Sequence, residues 1–131
     1  MRPVLAGIDH IHIHVSSWKK AEIWYRDLLG FKRVEKLMSW AVDGGPLTLE
    51  SPEGKVHLAL FEREGHTGSS AIAFAASGQE FLEWKAFLQS NAVNLRVADH
   101  SLAFSLYFSD PDNNLHEITT YDHDLVRENL G

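Results

Sequence analysis

Ile8-Asp9-His10-Ile11-His12-Ile13-His14-Val15 decides how the chain is read. From His10 onward, polar and apolar residues alternate, which is the pattern of a half-buried strand. Successive side chains of a strand leave on opposite faces. Ile11, Ile13 and Val15 therefore share one face, and His10, His12 and His14 share the other. The apolar face needs a cover, and the next residues supply one. Ser16 or Ser17 is placed to cap a helix. Ala21, Trp24, Tyr25 and Leu28 recur at helical spacing, and Gly30 stands where a glycine C-cap belongs.

The same order of elements then runs twice. Phe31–Leu37, Leu47–Ser51 and Lys55–Phe61 read as strands, with turn residues at Asp43-Gly44-Gly45-Pro46 and Pro52-Glu53-Gly54. Residues 63–69 read as a polar linker. A second strand–helix pair follows, Ser70–Ala76 and Glu80–Leu88, with Phe81, Trp84 and Leu88 on the inner side. Val93–Ala98, Ala103–Ser109 and Leu115–Tyr121 complete the set, the last two joined by Asp110-Pro111-Asp112-Asn113. Shifting by 61 places Ile11 on Ile72 and Ile13 on Phe74; shifting by 60 places Trp24 on Trp84 and Leu28 on Leu88. The expectation is an α+β domain over residues 1–131. It has two βαβββ modules (about 7–62 and 70–122), helices on the outer face of an open mixed sheet, and a charged tail over 123–131.

Composition limits the chemistry. The 131 residues are 44% hydrophobic and 23% charged, ordinary for a globular domain. With no cysteine, thiolate metal sites, disulfides and cysteine nucleophiles are excluded, so any transition-metal site must use histidine and carboxylate. Twelve Lys and Arg against eighteen Asp and Glu give a net charge of −6, which argues against a nucleic-acid partner. No apolar run reaches the ~18 residues that read as a membrane span. A cytoplasmic protein without membrane contact is expected. Eight histidines stand out: His10, His12, His14, His57, His66, His100, His116 and His123.

Three motifs carry a resemblance. They are Asp9-His10-Ile11 opening the first strand, Trp24-Tyr25-Arg26-Asp27-Leu28-Leu29-Gly30-Phe31 closing the first helix, and Tyr107-Phe108-Ser109-Asp110-Pro111-Asp112-Asn113-Asn114-Leu115-His116-Glu117. Together they resemble the vicinal oxygen chelate superfamily, which includes glyoxalase I, extradiol dioxygenases, fosfomycin-resistance enzymes and bleomycin-resistance proteins. The resemblance implies paired βαβββ modules forming an open, U-shaped sheet around a divalent metal, Fe(II), Mn, Zn or Ni. It also implies a homodimer. His10 and Glu117 take the positions of metal ligands. The histidine that opens the second module in the family is replaced here by Ala71.

His57 has two competing roles under this resemblance. A 60-residue shift pairs it with Glu117 and makes it the third ligand; a 58-residue shift puts Ala59 there instead. Similarity to the extradiol dioxygenases makes His57, fourteen residues ahead of Ala71, an acid/base. The same similarity makes Tyr107, ten residues before Glu117, a catalytic contact, and His100, seven before Tyr107, a substrate contact. His12, one pleat from His10, reads as a substrate contact, and Phe61 shares the His57 face. His14 reads as solvent-facing, His116 as turned away from Glu117, and His66 and His123 as outside the site.

The function implied is a glyoxalase- or dioxygenase-type metalloenzyme acting on a small substrate with vicinal oxygens. The alternative is a metal-free small-molecule binding protein of the bleomycin-resistance type, which Ala71 favours. Transfer of a thiol or water to fosfomycin ranks lower, because the sequence shows no cluster of basic residues to grip a phosphonate.

Overall fold

The structure is a computed structural model that describes residues 2, 8–65 and 71–130. His66, Ser70 and most of the 63–69 linker lie outside the described residues. The chain divides near residue 66 into two compact units.

In the first unit, β1 (Ile11–Val15) is followed by α1 (Trp18–Leu29), β2 (Lys32–Arg33), a 3-10 helix (Glu35–Trp40), β3 (Leu47–Glu50) and β4 (His57–Glu62). The sheet order is β1-β4-β3-β2, with β1 parallel to β4 and the other pairs antiparallel. The β1 alternation does what its pattern predicts. Ile13 and Val15 are buried with Leu47, Leu49, Leu58 and Leu60, together with Ala21, Tyr25 and Leu29 of α1. Ser17 rather than Ser16 caps α1, accepting a hydrogen bond from the Lys20 amide at 3.3 Å. The Trp18 indole donates to the Leu60 carbonyl at 2.7 Å, which ties the start of α1 to β4. Gly30 ends the helix at φ +76°, the left-handed region where a Cβ is disfavoured.

The strand expected over Phe31–Leu37 is cut short. Val34 still donates to the Thr48 carbonyl at 2.9 Å, but Leu37 then bonds back to Val34 and the chain coils into the 3-10 helix. The residue that would continue the buried side of Val34, Lys36, is exposed, so nothing apolar carries the strand past Val34.

The second unit repeats the order. β5 (Ala71–Ala75), α2 (Gly78–Ser90), β6 (Arg96–Asp99), β7 (Phe104–Ser109) and β8 (Leu115–Thr120) form a sheet ordered β5-β8-β7-β6. Phe104, Leu106, Phe108, His116 and Ile118 are buried with Phe81 and Leu88 of α2; Trp84 is half-buried. A capping box of Ser77 and Glu80 starts α2. The turn between β7 and β8 is built on Asp110, which accepts from the amides of Asp112 (2.9 Å) and Asn114 (2.8 Å).

The charged tail forms a further helix, α3 (His123–Asn129), which the sequence pattern does not predict. Val126 is fully buried, and His123 bonds Asp99 at 2.7 Å while stacking on Phe104. Just ahead of α3, Asp122 accepts the Gly78 amide at 2.7 Å. Among the described residues, no helix is long and apolar enough to cross a membrane.

Candidate functional site

Residues opposite each other in a ladder point to the same face. On the first sheet, His12 lies beside Ala59, and Ala59 beside Thr48; His14 lies beside Phe61, and His57 beside Glu50. This is the face opposite the buried leucines, so it carries the histidines. His10 sits at the start of β1. Its Nδ1 is 2.8 Å from Asp9 Oδ2, so that nitrogen donates to the carboxylate, and the neutral ring would present its lone pair at Nε2. The Nε2 atoms of His10 and His12 are 3.0 Å apart, with the rings stacked. His12 also packs on Phe61, centroids 4.8 Å apart. His57 is engaged elsewhere: its Nε2 meets Glu50 Oε2 at 3.0 Å. Sequence reasoning missed Glu50. Its parity on β3 was readable, but its partner depended on the β3–β4 register.

On the second sheet, Glu117 lies between Ala73 of β5 and Tyr107 of β7, and Tyr107 lies beside Arg96 of β6. The Ser105 hydroxyl donates to Glu117 Oε2 at 2.7 Å, which fixes one carboxylate oxygen and leaves the other its remaining acceptor capacity. The Tyr107 hydroxyl and His100 Nε2 are 3.0 Å apart. The Arg96 guanidinium lies over the Tyr107 ring, 4.2 Å from its centroid. Neither Ser105 nor Arg96 was singled out from sequence. Parity alone did not pair Arg96 with Tyr107, because the connection between their strands is irregular.

The strand registers resolve the two offsets for His57. Ile11 pairs with Leu58, and Ile72 pairs with His116. First strands are thus related by 61 and last strands by 58. Ala59 is the counterpart of Glu117, and His57 is the counterpart of Leu115. His57 is therefore not equivalent to Glu117, and its Nε2 is paired with Glu50. Ala71 is on β5 as expected, and exposed.

The donors fit a divalent cation in kind, with imidazole nitrogen at His10 and a carboxylate at Glu117. Their supports, Asp9 and Ser105, are of the sort that orient ligands. Among the described residues, no three His, Asp or Glu side chains are gathered closely enough to hold a metal ion. The other described histidines are accounted for by packing or pairing. His14 contacts Phe61, His123 pairs with Asp99, and His116 is buried against Phe74 and Phe108. Burial pushes the His116 pKa down to about 4, against an opposing pull from Asp110.

Comparison with known proteins agrees with this fold. Metallothiol transferase FosB of Staphylococcus epidermidis is 30% identical over 126 residues, covering 89% of this chain and 85% of the relative. FosB of Staphylococcus haemolyticus is 32% identical over 121 residues with the same coverage. Among solved structures, a lactoylglutathione lyase from Agrobacterium tumefaciens superposes with a TM-score of 0.73 at 22% identity, covering 88% of this chain and 94% of that one. A variant of the fosfomycin resistance protein FosX from Listeria monocytogenes, complexed with Mn(II) and 1S,2S-dihydroxypropylphosphonic acid, gives 0.72 at 16% identity, covering 93% and 97%. Residues 7–118 match the profile of the Glyoxalase/Bleomycin resistance protein/Dioxygenase superfamily, and the chain belongs to that superfamily.

Proposed function

We propose that the chain is a metal-dependent enzyme acting on a small anionic substrate that offers vicinal oxygens, with His10 and Glu117 as metal ligands. The observation that carries this reading is the surface around Glu117. The carboxylate is held by Ser105 on a face that also presents a phenol and a guanidinium. A bound divalent cation would polarise the substrate oxygens as a Lewis acid. Arg96 puts one cation on this face, where the sequence showed no basic cluster, and that supports an anionic substrate of the kind named with the FosX structure. The Tyr107 hydroxyl, set by His100, donates to or accepts from a substrate oxygen. His57, paired with Glu50, takes or returns a proton. His100, His12 and Phe61 are the remaining contacts of the proposed site, and pairing of two copies completes the assembly.

Metal content tests this reading directly. Protein purified without chelators is expected to hold about one divalent ion per chain, and His10→Ala and Glu117→Gln each to lose most of it. Activity is then assayed with fosfomycin plus a thiol, with a hemithioacetal and with a catechol. Replacing Arg96 by Ala is expected to raise KM for the anionic substrate roughly tenfold or more, about 1.4 kcal/mol, with a smaller effect on kcat.

A second reading has a specific observation behind it. With alanine at residues 71 and 59, two positions related by the repeat to His10 and Glu117 lack donors. That favours a metal-free protein that sequesters a small aromatic ligand. Wild-type protein free of metal, with ligand binding unaltered by Glu117→Gln, would establish this reading and exclude the enzyme.

A further inference from the structure

The residue lost at position 71 raises the question of where another donor comes from. We propose that His12 joins His10 as a metal ligand, so that β1 alone supplies two imidazole nitrogens. This rests on the metal-dependent reading above and reassigns His12 from substrate contact to ligand.

Side chains one pleat apart on a strand start ~6.6 Å apart. The rings of His10 and His12 lean together until their Nε2 atoms are 3.0 Å apart. Two nitrogens at right angles, each about 2.1 Å from one cation, would be roughly 3.0 Å apart. The tautomer agrees. Asp9 accepts from His10 Nδ1, so in the neutral ring His10 Nε2 is the acceptor that faces His12 Nε2. Without a cation, the contact is one hydrogen bond between two exposed rings, which in water contributes little. With a cation, both lone pairs have a common target.

The surroundings suit the role. The ladder neighbour of His12 is Ala59, which leaves the ring uncrowded on that side, while Phe61 packs against it from β4. In the second unit, the counterpart of His12 by the 61-residue shift is Ala73, so the second donor is a feature of β1 alone. Two imidazoles from one strand leave most of a cation's positions open for further donors and a chelating substrate.

The test uses the full chain stripped of metal. Zn2+ and Mn2+ are titrated by calorimetry into wild type, His10→Ala, His12→Ala and Glu117→Gln. Pulsed EPR with Cu2+ counts the coordinated imidazoles. His12 is exposed, so its replacement leaves the fold intact, which circular dichroism checks. The expected result is a loss of affinity of about tenfold or more in all three variants, with two imidazoles in wild type and one in His12→Ala. Wild-type affinity and imidazole count in His12→Ala, with the other two variants weakened, would overturn the proposal and leave the metal-dependent reading standing. Loss in both histidine variants but not in Glu117→Gln would support the histidine pair and overturn the role proposed above for Glu117. Absence of binding by wild type would overturn both.

Discussion

Burial against Phe74 and Phe108 separates His116 from the other described histidines. Its neighbour Glu117 points the opposite way, as the two-residue period of a strand requires. The folded ring stays neutral down to about pH 4. The unfolded chain takes the proton near pH 6.5. Stability from this group is therefore complete above about pH 6.5 and falls as pH drops toward 4, by roughly 3 kcal/mol in total. Urea unfolding at pH 7.5 and pH 4.5 checks this. His116→Leu is expected to lose less on acidification than wild type, because it has no such proton to bind. That same period, legible in the residue order of β1 and β8, also put His10 and Glu117 on open faces. It did not reveal the pairs His57–Glu50 and Arg96–Tyr107, because those depend on which residues of different strands stand side by side.

Elements were legible where their ends carried chemistry. Ser17 and Gly30 bracket α1 as read, and Gly30→Ala is expected to destabilise the protein by about 1 kcal/mol in thermal or urea unfolding. Its φ is +76°, and a Cβ would sit 3.3 Å from Pro52 Cγ. The early end of β2 was not legible, since its pairing stops at Val34 through a bond to Thr48. Nor was α3, whose anchors, His123 and Val126, are single residues in a charged run. At the junction of α2 with the residue before α3, Asp122→Ala is expected to cost about 1 kcal/mol by removing the acceptor of the Gly78 amide. Gly78→Ala is expected to cost more, because its Cβ would fall 2.7 Å from Asp122 Cβ.

Across the molecule, one strand order serves both units, and the sequence repeat announced it. The repeat was less reliable as a ruler. The stretch between first and last strands differs by three residues between the units, 61 against 58, and the last-strand offset of 58 makes Ala59, not His57, the counterpart of Glu117. Dimerisation, implied by family resemblance, predicts a light-scattering mass of twice the chain; a monomer at working concentration would exclude it. The Asp122–Gly78 bond has a consequence for synthesis. Domains fold as units while the ribosome extends the chain. The first unit has all its strands once Glu62 has emerged, but α2 waits for an acceptor 44 residues downstream of its first amide. Through that interval α2 lacks the acceptor of its first amide, so proteolysis of ribosome-bound chains is expected to cut the second unit before Asp122 emerges and to spare it afterwards.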